Sequence, residues 1–581
     1  MPALSAARGK LSSLPHSARA ALVCAALAVW WISTLEIHRS WAWDESMHAE
    51  LPALRMLLSV QAGDGHGFWS VLHSCQQYPF GWPLVLGALQ AVFGVSEWIA
   101  RAAGITVWCV TLLGLFLLTQ EVARAQRSGG PRRGDDLAPW LALAFGALSP
   151  LCLGYGGSLF LEVPFTCCAV FALRAWLRRG NLRDEPGGLW RAIAAGLWLV
   201  AAFFTKFNYG ILLVFGCGLD GLLGLLSARR AGRLGRELRD LLLVAVPLVL
   251  GAAWWLVLPL PFGLEKGAEH REVMLSFLGG NREMPSTPWE QRLIFWALYL
   301  TFTARFFVVQ LVGVASSLRG LLQPGARLMW VVLLAAGLPV WTHNFHLDRF
   351  LIPNAPTFWV LAALGLAGIL PMGAIRRVAV LTPLALAALL FPTADASRVA
   401  GWLGLLEGDE DTSVYIVGVL EEKPRLGEDR RMWTPGMAPE AAEAVLELVT
   451  AEVGPAERVG WIGVSTELPP AVLHIALFEA SGNRARFLAD AHRPLDVDYF
   501  NVDPNWDVAR LREFVEQFDV LITTDPSDIG QRPARAFARR YAGMLIGELG
   551  WGVTEIGKVL VPKDVGDGFD LSVFALRPPA R

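Results

Sequence analysis

Charge is scarce in this sequence. Only 18% of its 581 residues are Asp, Glu, Lys or Arg, where a soluble protein carries about a quarter. The deficit is uneven. From about Ala20 to Pro392 apolar runs follow one another, whereas Glu407 to Arg581 has the balance of a soluble protein. A single soluble globule is excluded. The length accommodates one large membrane domain and one smaller globular one. Strong net charge is also missing. At −2 and without a basic tail, the chain carries no electrostatic footprint for nucleic acid.

Cysteine is sparse and poorly placed for chemistry. The seven are Cys24, Cys75, Cys109, Cys152, Cys167, Cys168 and Cys217. All but Cys75 lie in apolar runs and none lies in the C-terminal part. Neither a disulfide framework nor a cysteine metal site is indicated, and most read as small buried hydrophobes. A small-residue cleavage site is absent too. After Arg8, Lys10 and Arg19, the run Ala20–Leu35 passes through Trp30-Trp31 without one. A retained first membrane helix is expected there, in preference to a cleaved signal peptide.

What the sequence does contain is apolar runs near the length of a membrane span, about 20 residues. They are Ala20–Leu35, Ile99–Ala123, Ala138–Tyr155, Leu161–Leu177, Leu189–Phe204, Tyr209–Leu226, Leu241–Leu258, Leu293–Leu318, Leu328–Trp341, Ala355–Leu370 and Val378–Phe391. The expected fold is a polytopic α-helical membrane domain of about 11–13 spans over residues 1–395. A linker at 396–411 leads to a soluble α/β domain at 412–581.

Lys and Arg accumulate on the cytoplasmic side of membrane proteins. The clusters are Arg124, Arg127, Arg132 and Arg133; Arg178, Arg179 and Arg183; Arg229, Arg230, Arg233, Arg236 and Arg239; Arg319 with Arg327; and Arg376 with Arg377. Placing all of them inside gives a consistent alternation, with the N-terminus cytoplasmic and the C-terminal domain outside. One run, Phe80 to Val95, would break that alternation if it crossed. The outer side then holds a long first loop (36–78), the turns at Ser158–Glu162 and Lys206, the segment Pro261–Gln291 and the turn Thr342–Pro353.

In the C-terminal domain, Ser413–Leu420, Arg458–Val464, Val520–Thr524 and Leu571–Leu576 read as strands. Ala438–Thr450, Pro470–Ala480, Asp507–Phe518 and Ala534–Leu549 have helical periodicity. The alternation predicts a largely parallel sheet. Gly463-Val464-Ser465 follows a strand, but is neither a nucleophile elbow nor a phosphate loop.

The residues capable of chemistry cluster on the outer face. Asp44, Glu45, His48 and Glu50 follow the first helix among tryptophans. A carboxylate beside low-dielectric membrane tends to a raised pKa, which suits a general base. A solvated interfacial turn anchored by tryptophans explains the pattern equally well. Glu162 opens an apolar span, so it reads either as functional or as a charge marking the helix start. Lys206 reads as an anion holder or a snorkelling lysine. His343, His346, Asp348 and Arg349 share one turn. Arg349 suits bidentate phosphate recognition, and the histidines leave room for a divalent metal or for a merely polar turn. Lys266, His270 and Arg271 are weaker candidates. No cofactor is required by the sequence.

Taken in order, these stretches resemble the GT-C glycosyltransferases. The likeness is greatest to the protein O-mannosyltransferase and aminoarabinose transferase (ArnT-like) group. It rests on Asp44-Glu45 with His48-Ala49-Glu50, on Phe93–Glu97 with Ala100-Arg101, on Ser149-Pro150 through Tyr155 to Glu162-Val163-Pro164, on Thr205-Lys206 and on Arg349 to Pro353. The resemblance spans roughly Ala20 to Leu370. It implies transfer of a sugar from a polyprenyl-phosphate donor to a lipid, glycan or protein acceptor outside a bacterial inner (plasma) membrane, with inversion. It implies Asp44 as general base and Glu45 or Glu162 orienting acceptor or sugar. Lys206 and Arg349 would hold the phosphate, and His48, Glu50 and His346 would stand near the substrate. Two positions depart from the pattern. His48 stands where an aromatic residue is usual, and Gln77-Tyr78-Pro79-Phe80 replaces a Lys-Pro-Pro stretch, which removes one expected phosphate contact. The competing classes are a transporter and a non-catalytic membrane scaffold presenting the α/β domain. A transporter would place its charges near the membrane midplane and often show duplicated halves, and no repeat is visible. A scaffold would tolerate replacement of Asp44, Glu45 and Glu162.

Overall fold

The computed structural model describes residues 14–35, 45–75, 78–126, 136–149, 155–181, 188–278, 307–342, 348–369, 439–452, 459–462, 507–516, 518–524, 543–561 and 569–579. They fall in two compact units. One comprises Met1–Leu35, His73–Trp82 and Arg101–Trp433; the other comprises Glu36–Leu72, Pro83–Ala100 and Thr434–Arg581.

The helices of the first unit begin with α1 (His16–Ser33). α2 (Leu51–Gln61) and most of α3 (Gly65–Ser74) and α4 (Gly81–Phe93) belong to the second unit, and the long α5 (Glu97–Ala125) belongs mainly to the first. Then follow α6 (Leu137–Ala147), α7 (Glu162–Asn181), α8 (Gly188–Thr205), α9 (Phe207–Arg230) and α10 (Leu234–Leu256). After α11 (Leu264–Leu278) come α12 (Phe307–Ser317), α13 (Pro324–Thr342) and α14 (Ala355–Ile369). Among the described residues, α1, α5, α9 and α10 are long and apolar enough to cross a membrane. They place the protein in a membrane. Four such helices are fewer than the eleven runs of the sequence. α4, α6 and α14 are apolar but shorter, at 13, 11 and 15 residues. The run Val378–Phe391 and the first part of Leu293–Leu318 lie outside the described residues.

Phe80–Val95, the run that disturbed the alternation, forms α4. Thirteen residues at 1.5 Å each reach about 20 Å, less than the roughly 30 Å of a hydrocarbon core. α4 packs closely on α2. A Cβ on Gly87 would lie 2.9 Å from the Ala53 carbonyl oxygen, so glycine permits the approach. Arginines of three basic clusters end helices: Arg124 is in the last turn of α5, Arg178 and Arg179 in that of α7, Arg229 and Arg230 in that of α9.

In the C-terminal part, α15 (Pro439–Glu452), β1 (Val459–Ile462), α16 (Val508–Val515), β2 (Val520–Thr524), β3 (Gly552–Val561) and β4 (Phe569–Arg577) are described. The sheet order is β1-β2-β4-β3. β1 and β2 are parallel, but β2/β4 and β3/β4 are antiparallel. The expected largely parallel sheet is therefore mixed. A parallel partner needs a crossover of about a dozen residues or more. α16 lies within the connection from β1 to β2, whereas the stretch 562–568 between β3 and β4 is too short for a crossover. β3 escaped the sequence reading because Glu555 and Lys558 interrupt its apolar run. Leu511 and Val515 of α16 bury against Leu521, Leu545, Trp551 and Leu576 to form the core. At Gly557 a Cβ would meet Leu448 of α15 at 2.7 Å, so the glycine lets that helix lie on β3. Ser413–Leu420, Pro470–Ala480, Gly463–Ser465 and the linker 396–411 lie outside the described residues.

A histidine-centred aromatic cluster ties the end of α3 to α10 and α11. His73 stacks on Trp255 at 5.2 Å and on His270 at 5.3 Å. His270 stacks on Trp255 at 4.0 Å. His73 Nε2 lies 3.2 Å from the Leu260 carbonyl. His270 Nδ1 lies 2.9 Å from the Trp255 carbonyl and its Nε2 3.1 Å from that of His73. A neutral imidazole has one N–H, so it serves one of these two carbonyls at a time. Burial pushes the His73 pKa down to about 4, partly opposed by the Leu260 carbonyl, and burial pushes His270 in the same direction.

The folded state thus resists protons that the unfolded chain accepts below about pH 6.5. Stability contributed by neutral His73 is complete above that pH and is lost as pH falls towards 4. Thermal unfolding of detergent-solubilised protein from pH 7.5 to 4 should show a falling midpoint, with a shallower fall in His73→Phe. Identical slopes in both proteins would refute the role of this cluster.

Candidate functional site

Lys206 occupies a one-residue break between two helices. α8 ends at Thr205 and α9 starts at Phe207, and Lys206 is extended between them, with φ −154° and ψ 96°. Its N–H donates to the Ala202 carbonyl at 3.0 Å, and its own carbonyl accepts from Gly210 N–H at 2.9 Å. The residue therefore closes one helix and opens the next, without leaving either terminal group unpaired. Gly210 lets the two helices pass closely. A Cβ there would stand 2.6 Å from Phe203 Cα.

Glu162 is the first residue of α7, where a negative side chain meets the positive end of the helix dipole. Thr166 Oγ1 donates to the Glu162 carbonyl at 2.6 Å. These two helix starts bring the side chains together. Lys206 Nζ donates to Glu162 Oε1 at 2.6 Å, and the residues are 3% and 1% exposed. Tyr78, Tyr209 and Phe350 present ring faces to Nζ at 5.1, 5.4 and 5.8 Å. Each is within the range of a cation–π attraction, worth about 0.5–2 kcal/mol depending on desolvation. Tyr209 Oη donates to the Phe350 carbonyl at 3.4 Å. That carbonyl belongs to the 3-10 turn Asp348–Leu351, which also carries Arg349. The turn named in the sequence for phosphate recognition thus abuts the Lys206 site through its backbone.

Tyr209 also lines a small apolar recess. Phe165 and Leu173 of α7, Leu213 of α9, Val332 of α13 and Pro356 of α14 form its walls. A charged, hydrogen-bonding group therefore adjoins an apolar recess.

Of the remaining expected residues, Lys266, His270 and Arg271 lie in α11 of the first unit, and the others belong to the second unit or lie outside the described residues. Glu45 is fully buried, just before a π-helical turn, Ser46–Glu50. His48 in that turn is half-buried. Glu50 is 1% exposed and accepts a hydrogen bond from Gln90 Nε2 of α4 at 2.5 Å. Asp44 and His346 lie outside the described residues. Among the described residues, no three His, Cys, Asp or Glu side chains group as metal ligands. The sequence reading missed the aromatic wall and Gln90. Tyr78 stands in the stretch already noted for departing from Lys-Pro-Pro, and its ring faces a cation instead of supplying one. Nothing in the local sequence marks it, because 10% of the residues are aromatic.

No protein-family model matches the chain, and no curated protein matches it. Solved structures do. The apo structure of ArnT from Cupriavidus metallidurans superposes with a TM-score of 0.52 at 15% identity, over 95% of this chain and 97% of that one. In fold, the chain is similar to ArnT. The structure of the same ArnT bound to undecaprenyl phosphate gives a TM-score of 0.51 at 15% identity, with the same coverage. The archaeal oligosaccharyltransferase AglB from Archaeoglobus fulgidus superposes more loosely, with a TM-score of 0.46 at 12% identity over 87% of this chain and 69% of that one. Coverage by ArnT extends through both the helical part and the C-terminal part.

Removing one partner of a buried ion pair withdraws the opposite charge from the other, at a cost of up to about 3–5 kcal/mol. Glu162→Gln and Lys206→Met should each destabilise the helical unit by that order, read as a loss of midpoint in detergent unfolding. The double variant should lose less than the sum of the two. Strict additivity would show that the pair is not coupled as its geometry requires.

Proposed function

We propose that the chain is an integral-membrane glycosyltransferase that takes a sugar from a polyprenyl-phosphate donor and passes it to an acceptor on the outer face of the membrane. The observation that carries this reading is the buried Lys206–Glu162 pair beside an apolar recess, in a chain with an ArnT-like fold. The undecaprenyl phosphate held by that ArnT has the property which the site suits, an anionic head. The wider reading comprises about 11–13 spans, a bacterial inner membrane, a cytoplasmic N-terminus and an extracytoplasmic α/β domain over 412–581, after a linker at 396–411.

In the proposed reaction an acceptor hydroxyl attacks the anomeric carbon. The bond from that carbon to the phosphate oxygen breaks, with inversion, and the polyprenyl phosphate leaves with the electron pair. Asp44 takes the hydroxyl proton. Lys206 and Arg349 bind the phosphate, where negative charge grows as the bond breaks. Glu162 then acts on Lys206. It holds the ammonium in place before the donor arrives. Glu45, or Glu162 itself, orients the acceptor or sugar, and His48, Glu50 and His346 stand around the substrate.

Transfer from a radiolabelled polyprenyl-phosphate sugar to total envelope acceptors tests the reading. Loss of a general base lowers the rate by about 10²–10⁴-fold, so Asp44→Asn should fall by that factor while still binding polyprenyl phosphate. Lys206→Met should instead weaken retention of polyprenyl phosphate. Undiminished transfer by Asp44→Asn would remove the base assignment, and unaltered transfer by both variants would remove the site.

A further inference from the structure

Two clusters of charge lie in the arginine-bearing half of α7. In the first, charges balance. Arg179 Nη2 donates to Glu237 at 3.1 Å, and its guanidinium lies 3.7 Å over the Trp176 ring. Trp176 Nε1 donates to Asp220 at 2.9 Å, and Arg327 Nε donates to the same carboxylate at 2.8 Å. Two guanidiniums meet two carboxylates, and the cluster ties α7, α9, α10 and α13 together.

The second cluster is different. Glu121 of α5 is 7% exposed. Its Oε1 faces Arg124 Nη1 at 3.2 Å, Arg178 Nε at 3.7 Å and Arg174 Nη2 at 3.9 Å. Among the described residues three arginines converge on one carboxylate, and only Arg124 hydrogen-bonds to it. Arg174 Nε is buried with no hydrogen-bond partner. The side chains of Arg124, Arg174 and Arg178 are 54%, 24% and 35% exposed, so the cluster opens outward. Purely structural pairing does not gather three like charges about one acceptor, because their mutual repulsion opposes it.

We propose that Arg124, Arg174 and Arg178 bind a phosphate group, supplied by the headgroup of an anionic membrane lipid. The planar fork of arginine matches phosphate oxygens two at a time. One phosphate would accept from the donors that Glu121 leaves over and offset the excess charge. The cluster lies where the spanning helix α5 and its neighbour α7 end, at the side the charge rule assigns to the cytoplasm. Basic pockets between membrane helices on that side take lipid headgroups. The site is separate from the Lys206 pair. Arg174 lies twelve and Arg178 sixteen positions along α7 from Glu162, or about 18 and 24 Å at 1.5 Å per residue.

Full-length protein in phosphatidylcholine nanodiscs, with and without phosphatidylglycerol, provides the test. Thermal midpoint and native mass spectrometry of retained lipid are the readouts. Phosphatidylglycerol should raise the midpoint and be retained. Affinity should fall about fivefold per arginine removed in Arg178→Gln and Arg174→Gln/Arg178→Gln, the factor equivalent to about 1 kcal/mol per basic residue near a membrane surface. Glu121→Gln, which deletes the internal counter-charge, should retain lipid more strongly. A parallel titration with inorganic phosphate separates the sources. A rise given only by the lipid, and lost in the arginine variants, supports the headgroup. An equal rise with inorganic phosphate, lost in the same variants, supports the phosphate site but overturns its lipid source. No rise in wild type, or an equal rise in wild type and in Arg178→Gln, overturns the proposal. Sugar transfer is not a readout here, so failure of this test leaves the glycosyltransferase reading untouched.

Discussion

An ammonium and a carboxylate, both nearly removed from solvent, meet at 2.6 Å where three helices begin or end. Much of the helical unit's local architecture answers to that contact. A lone charge in such a place is prohibitive, and a pair is tolerable only when geometry is good and the surroundings supply further polar partners. α7 brings its first residue to the pair. The break between α8 and α9 brings a lysine whose own backbone groups are already engaged, and three aromatic rings face the cation. Gly210 lets α9 come close enough to α8 for the break to be a single residue.

In the proposed reaction the pair also serves the chemistry. A lysine held by a carboxylate at a dry site is oriented before any ligand arrives, so little reorganisation remains when an anion enters. The recess beside it offers apolar walls and no competing charge among the residues that line it. The opposite half of α7 carries the other concentration of charge, where arginines outnumber carboxylates about Glu121. One helix thus has a neutralised pair at its start and an excess of positive charge near its end.

Much of the membrane part was legible because its signals are local. Apolar runs gave α1, α5, α9 and α10, and the strand Val520–Thr524 appears with the bounds its β-branched run suggested. The mixed sheet was not legible. Strand direction depends on the connections and on which edges pair, and a β-branched run is the same in either direction. β3 was hidden by its own charges, Glu555 and Lys558, and by its exposure, since among its described positions only Val559 is buried. Phe80–Val95 was ambiguous in sequence because apolarity does not state helix length. The structure settles it at thirteen residues.

The sequence alone determined that the chain belongs in a membrane, where its arginines cluster, that Glu162 opens an apolar span and that Lys206 lies in a turn between two of them. These are consequences of composition and spacing, which act over a few residues. Tertiary structure decided that those two residues, 44 positions apart, form one ion pair. It also decided that Tyr78, Tyr209 and Phe350 turn their ring faces to it, and that three arginines from two helices share Glu121. Such meetings depend on how helices cross and rotate against one another. That is set by close packing along their whole lengths and by glycines at the contacts, and no short stretch of sequence contains it.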